Sequence, residues 1–220
     1  VIEYLIALLL WLIVFVSSSL VSFFVARKHK QATGFVIQAS FLAFSLILII
    51  LLGIPMNSSL SDLPEALLGG FLLSLVLNLV QKRLGVEITP PELPERKVEL
   101  WFLLLVLAPL GEESLYRELL ESYLLGSGAF WGAVVFSAIL FALPHWMAFE
   151  GNLVGKILTL LGAFLVGLSA GYLFAVTRSL LTAFTFHSAA NLAGFVVGTE
   201  KGKSDLSGKA QKLLISDHNP

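Results

Sequence analysis

The sequence predicts an all-α membrane protein, a polytopic bundle of about seven to eight transmembrane helices. Hydrophobic residues make up 57% of the 220-residue chain and charged residues only 13%, with a mean hydropathy of +0.89. A soluble domain carries about 25% charged residues. The apolar residues are gathered into runs of about 20, the length at which a helix crosses a bilayer. They do not alternate with polar residues in short segments, as the strands of a lipid-spanning barrel would.

Taken in order, the runs place spans at 2–26, 32–54, 63–80, 98–125, 130–149, 153–176 and 180–198. The first is longer than the apolar core of a signal peptide and lacks a basic start, so it reads as a retained helix. The third is short. An eighth helix would precede Val1 or be hidden as a split helix. Residues 1–200 form one domain with its polar chemistry concentrated at 98–198, and 201–220 form a polar, mobile tail. The stretch TPPELPERK, residues 89–97, is a proline-broken loop.

Lysine and arginine alternate between the connections. Arg27, Lys28 and Lys30 fall in the first, Lys82, Arg83, Arg96 and Lys97 in the third, Lys156 in the fifth and Lys201, Lys203, Lys209 and Lys212 in the tail. Arg178 alone lies on the opposite side, and Arg117 lies inside a span. The basic side is cytoplasmic, which puts the C-terminus in the cytoplasm. The host membrane would be the plasma membrane in a prokaryote and the endoplasmic reticulum in a eukaryote. With a net charge of −1 there is no basic patch for nucleic acid, and with no cysteine there is no disulfide framework and no thiolate chemistry.

Against this background EESLYRELLE, residues 112–121, puts five charged groups into ten residues. Each charge at mid-bilayer costs about 2.5–3.5 kcal/mol on insertion scales. Helical spacing supplies part of the compensation. Glu113, Arg117 and Glu121 recur every four residues, so Arg117 can bridge two carboxylates. Glu112 lies about 100° round the helix and has to find its partner elsewhere. Glu118 has no assigned partner and would line the outer mouth of a polar cavity. His145, in FALPHW, follows Phe141 by one turn, while His187 and Asn191, in HSAAN, share one face of the last span. At about 1.5 Å per residue, Glu112, His145, His187 and Asn191 lie about 11–23 Å in from the outer span ends, a common layer in the middle to inner half of the membrane.

EESLYR, FALPH and HSAAN match EExxxR, FxxxH and HxxxN in order on successive spans. In this the sequence resembles the CAAX protease and bacteriocin-processing family (CPBP, or Abi), whose type member is the CAAX prenyl endopeptidase. The resemblance covers roughly residues 98–198. It implies a helical, typically eight-helix fold and an intramembrane glutamic endopeptidase with no cofactor and no metal. Glu112 and His145 would then hold and activate a water, and His187 and Asn191 would donate to the tetrahedral oxyanion. Glu113 and Arg117 would orient these groups. The substrate would be a membrane-associated peptide or protein, prenylated in the type enzymes.

Other readings share these residues. EExxxR also suits an ion-pair stripe that joins helices, and His145, His187 and Asn191 also suit interhelical hydrogen bonding. Glu112, His145 and His187 are a plausible zinc set without an HExxH. A non-enzymatic scaffold, a bacteriocin-immunity protein and a proton-coupled transporter are further alternatives. Ala163, Gly167 and Gly171 recur every four residues. That pattern is ordinary close packing, with a homodimer seam as an alternative and not the expectation.

Overall fold

A computed structural model describes residues 1–197 apart from 61, 87, 90 and 92. The predicted tail therefore lies outside the described residues. The architecture is the expected all-α bundle. Its helices are α1 (Ile2–Ala26), α2 (Thr33–Leu52), α3 (Leu63–Arg83), α4 (97–125), α5 (Phe130–Ala142, then a further turn, His145–Ala148), α6 (Leu153–Thr177) and α7 (Leu180–Val197).

Six of these are long and apolar enough to cross a membrane, fewer than the seven to eight expected. The exception is α4, the predicted fourth span. It is helical from end to end, but its charge and its changes of pitch set it apart from an uninterrupted apolar α-helix. Two π-helical segments, Leu103–Leu107 and Ser114–Glu121, separate its α-helical parts.

The bundle is apolar outside as well as within, and it gathers charged side chains inside. Leu5, Leu9, Phe23, Ile50, Leu51 and Val176 are exposed, as residues facing lipid tails are. Arg117, Glu113 and Glu121 are fully buried. The central element is α4, packed against α1, α2, α5 and α6. The large polar side chains sit along it because the surrounding spans offer lipid only apolar surface.

Close approach to α4 depends on two glycines. A Cβ at Gly111 would lie 2.5 Å from the Gln38 carbonyl oxygen of α2. A Cβ at Gly171 of α6 would lie 2.8 Å from Glu121 Oε2 and 3.3 Å from Arg117 Nη1. Gly167 packs on Phe141 of α5 in the same way. These two positions of the small-residue stripe are therefore taken up within the chain. Gly171→Ala should lower stability by about 1–3 kcal/mol, since neither buried partner can move aside; thermal unfolding in detergent measures it.

The helix ends follow local chemistry. Gly53 closes α2 in the left-handed region (φ 64°), with Ile54 N–H donating back to Ile49. Asn152 caps α6 by accepting from Gly155 N–H at 2.8 Å. Pro144 interrupts α5 just before His145. Two short strands, Ile88–Thr89 and Glu150–Gly151, pair antiparallel and tie the loop after α3 to the loop before α6.

Candidate active site

Glu112 and Glu113 end the second α-helical part of α4, and the next eight residues are π-helical. Arg117 forks between the two carboxylates that four-residue spacing assigned to it. Its Nε donates to Glu113 Oε2 at 2.9 Å and its Nη1 to Glu121 Oε2 at 3.2 Å. Nη1 also donates to Ser137 Oγ of α5 at 2.8 Å, and that hydroxyl donates to Glu121 Oε2 at 2.6 Å. Ser137, a lone hydroxyl in FWGAVVFSAILFA, thus joins the network and locks α5 onto α4.

The other oxygen of Glu113 reaches α7. His187 Nδ1–H donates to Glu113 Oε1 at 2.7 Å. The second ring nitrogen, Nε2, lies 3.8 Å from Glu112 Oε2, beyond hydrogen-bond range. His187 is therefore held by one carboxylate and faces another. The partner that Glu112 lacked in the sequence is Gln38 of α2, whose Nε2 donates to Glu112 Oε1 at 2.7 Å. Sequence reasoning missed Gln38. Its one signal is that it is a lone amide within an otherwise apolar run. The Glu112 side chain keeps 17% of its surface open.

His145 follows the break at Pro144, and its Nδ1–H donates to the Phe141 carbonyl at 3.0 Å. Carbonyls only accept, so in the neutral ring the lone pair is on Nε2. Phe141 stands between the two histidines. Its ring centre is 5.1 Å from that of His145 and 5.4 Å from that of His187. The Arg117 guanidinium lies 5.5 Å from the same ring.

Asn191 and its neighbour Ser188 answer a different demand. In an α-helix the Leu105 carbonyl would take the N–H of residue 109, and in a π turn the Leu104 carbonyl would do so. Residue 109 is proline and has no N–H. Ser188 Oγ donates to Leu105 O and Asn191 Nδ2 to Leu104 O, both at 2.9 Å. The two side chains thus dock α7 on the π segment of α4, and the Asn191 amide retains a second N–H.

His145, His187 and Asn191 line one cavity of about 370 Å³, together with Asn78 and Lys82 from α3. Glu112 stands behind His187, and Glu113 and Arg117 lie beneath in the fully buried layer. The cavity reaches the end of α3 that carries Lys82. Glu118 departs from expectation: it lines a separate, smaller cavity with Asn57 and Arg178. It points there because its neighbour Arg117 occupies the face turned toward Glu113 and Glu121. Among the described residues, no three of His, Cys, Asp and Glu are grouped so that they could hold a metal ion.

The arrangement thus offers an imidazole lone pair and two potential N–H donors around one cavity within the bilayer, with the Glu112 carboxylate outside its lining, 3.8 Å from His187 Nε2. Residues 94–193 match the family model "Rce1-like: Type II CAAX prenyl endopeptidase Rce1-like". The match spans all three motifs and agrees with the resemblance read from them. No curated protein and no solved structure matches the chain.

Proposed function

Taking as premise that residues 94–193 are of the CAAX-protease family, we propose that this integral membrane protein is a metal-independent glutamic endopeptidase. One observation carries the reading. His187 is held at 2.7 Å by Glu113 and faces Glu112 at 3.8 Å, on a cavity it shares with His145 and Asn191.

In this mechanism Glu112 takes a proton from a water that His145 Nε2 also holds. The resulting hydroxide attacks the scissile carbonyl carbon, and the developing oxyanion accepts hydrogen bonds from His187 Nε2–H and the second N–H of Asn191. Protonated Glu112 then gives its proton to the departing amine, leaving a carboxylic acid and an amine, between which the remaining proton redistributes. His187 already commits Nδ1–H to Glu113, so donating from Nε2 requires the imidazolium form. Two carboxylates around the ring supply the matching charge. The substrate is a membrane-associated peptide or protein, with a prenylated tail as one candidate, entering from the side that carries Lys82. That side is cytoplasmic by its basic residues. A diverse membrane-peptide library offered to detergent-purified protein tests the reading: new termini should appear with wild type and not with Glu112→Gln.

Gln38 is a positioning residue in this scheme. It fixes Glu112 Oε1 and leaves Oε2 for the water. Gln38→Leu should lower kcat by about 10–100-fold with KM little changed, and steady-state cleavage kinetics separate the two.

A further inference from the structure

The separate cavity beside Glu118 has a volume of about 170 Å³ and shares no lining residue with the cavity of the histidines. It is built where α2, α4 and α6 end, from Asn57 in the loop after α2, Glu118 and Ser122 of α4, Gly126 just past it, and Arg178 just past α6. Lysine-poor connections mark this end as the one opposite the cytoplasm.

Glu118 is 1% exposed, and its Oε2 has no hydrogen-bond partner. Its neighbour Arg117 does not serve it: Nε and Nη1 are given to Glu113, Glu121 and Ser137, and Nη2 hydrogen-bonds nothing. A buried carboxylate without a partner is costly, and a ligand that donates hydrogen bonds to it would relieve that cost. Asn57 is held over the cavity because its carbonyl accepts from Leu180 N–H at 3.3 Å, while Ser179 Oγ accepts from Ser59 N–H at 2.9 Å. Arg178 adds a second signal. Among the described residues it is the one non-glycine with positive φ (54°), at the position after a helix where glycine is usual. Backbone strain is kept there while the exposed guanidinium stands at the rim.

We propose that this cavity binds a primary ammonium carrying a nearby phosphate, the chemistry of an ethanolamine phosphate head group. The ammonium donates to Glu118, to the Asn57 amide oxygen and to Ser122 Oγ. The phosphate takes the forked donors of Arg178. A cavity of about 170 Å³ holds about five waters' worth of volume, enough for the ethanolammonium end. Three donating N–H groups match three acceptors, which a quaternary ammonium does not offer. The position where three spans end is also the level of lipid head groups. This inference does not depend on the proteolytic reading.

The test is a titration of the full-length protein in phosphatidylcholine nanodiscs with soluble phosphoethanolamine and with phosphocholine. It is run beside thermal unfolding in discs with and without phosphatidylethanolamine. Saturable phosphoethanolamine binding, weakened about tenfold or more by Glu118→Gln, is expected. Arg178→Gly should weaken it similarly while leaving the unliganded fold at least as stable, because glycine relieves the strained φ. Response to both the lipid and the soluble compound shows that the head group suffices. Stabilisation by the lipid alone, lost in both variants, assigns the site to the bilayer. The proposal is overturned if phosphocholine binds equally, if neither variant changes the response, or if only inorganic cations stabilise the protein.

Discussion

Arg117→Met should destabilise the protein by about 3–5 kcal/mol, the range for breaking a buried ion pair by removing one partner. Arg117 is the largest fully buried side chain among the described residues. It donates to Glu113, Glu121 and Ser137 at once, at 2.8–3.2 Å. Methionine fills much of the space but leaves two carboxylates facing each other with no water to solvate them. A loss of that size is a large share of the roughly 5–15 kcal/mol that keeps a domain folded. Arg117→Lys should fall between, because a single ammonium cannot reproduce the fork. Thermal unfolding and size-exclusion behaviour in detergent read both variants. An Arg117→Met protein that melts with wild type would mean that the stripe does not hold α4 to α5. Loss of the network also frees Glu113, so His187 would lose the carboxylate that fixes its ring.

Glu112→Gln should do the reverse, costing activity and sparing the fold. The amide oxygen of the substituted side chain can still accept from Gln38, and the side chain keeps its shape. What disappears is the base. General acid–base catalysis is worth about 10²–10⁴-fold, and in the proposed mechanism Glu112 serves both proton transfers, so the loss should reach at least the upper part of that range. The melting temperature should stay near that of wild type. The two substitutions, little more than one turn apart on one helix, thereby separate the glue from the chemistry.

Much of this division is legible from spacing alone. Four-residue intervals gave the Arg117 bridge, and the motif order gave His145, His187 and Asn191 as cavity neighbours. Local chemistry explains what was not legible. The π segments of α4 are not written in hydropathy. The first, Leu103–Leu107, reflects Pro109 and the side chains of α7 that replace its missing N–H, and those two hydrogen bonds join residues 83 and 87 positions apart along the chain. Gln38 lies 74 residues from Glu112, outside the motif region, where a single amide in an apolar run carries no positional information. Ser137 is silent for the same reason. The direction of Glu118 could not be read either, because the residues that share its cavity, Asn57 and Arg178, lie far from it along the chain. The same charges and changes of pitch account for the lower count of apolar spans.

The central claim is that Glu112 drives hydrolysis without a metal. The most direct measurement is mass spectrometry of a membrane-peptide library after incubation with detergent-purified protein that has been exhaustively chelated, beside Glu112→Gln treated alike. New carboxyl termini should appear from the chelated wild type and none from the variant. Cleavage that survives in Glu112→Gln, or that vanishes on chelation and returns with zinc, would contradict it.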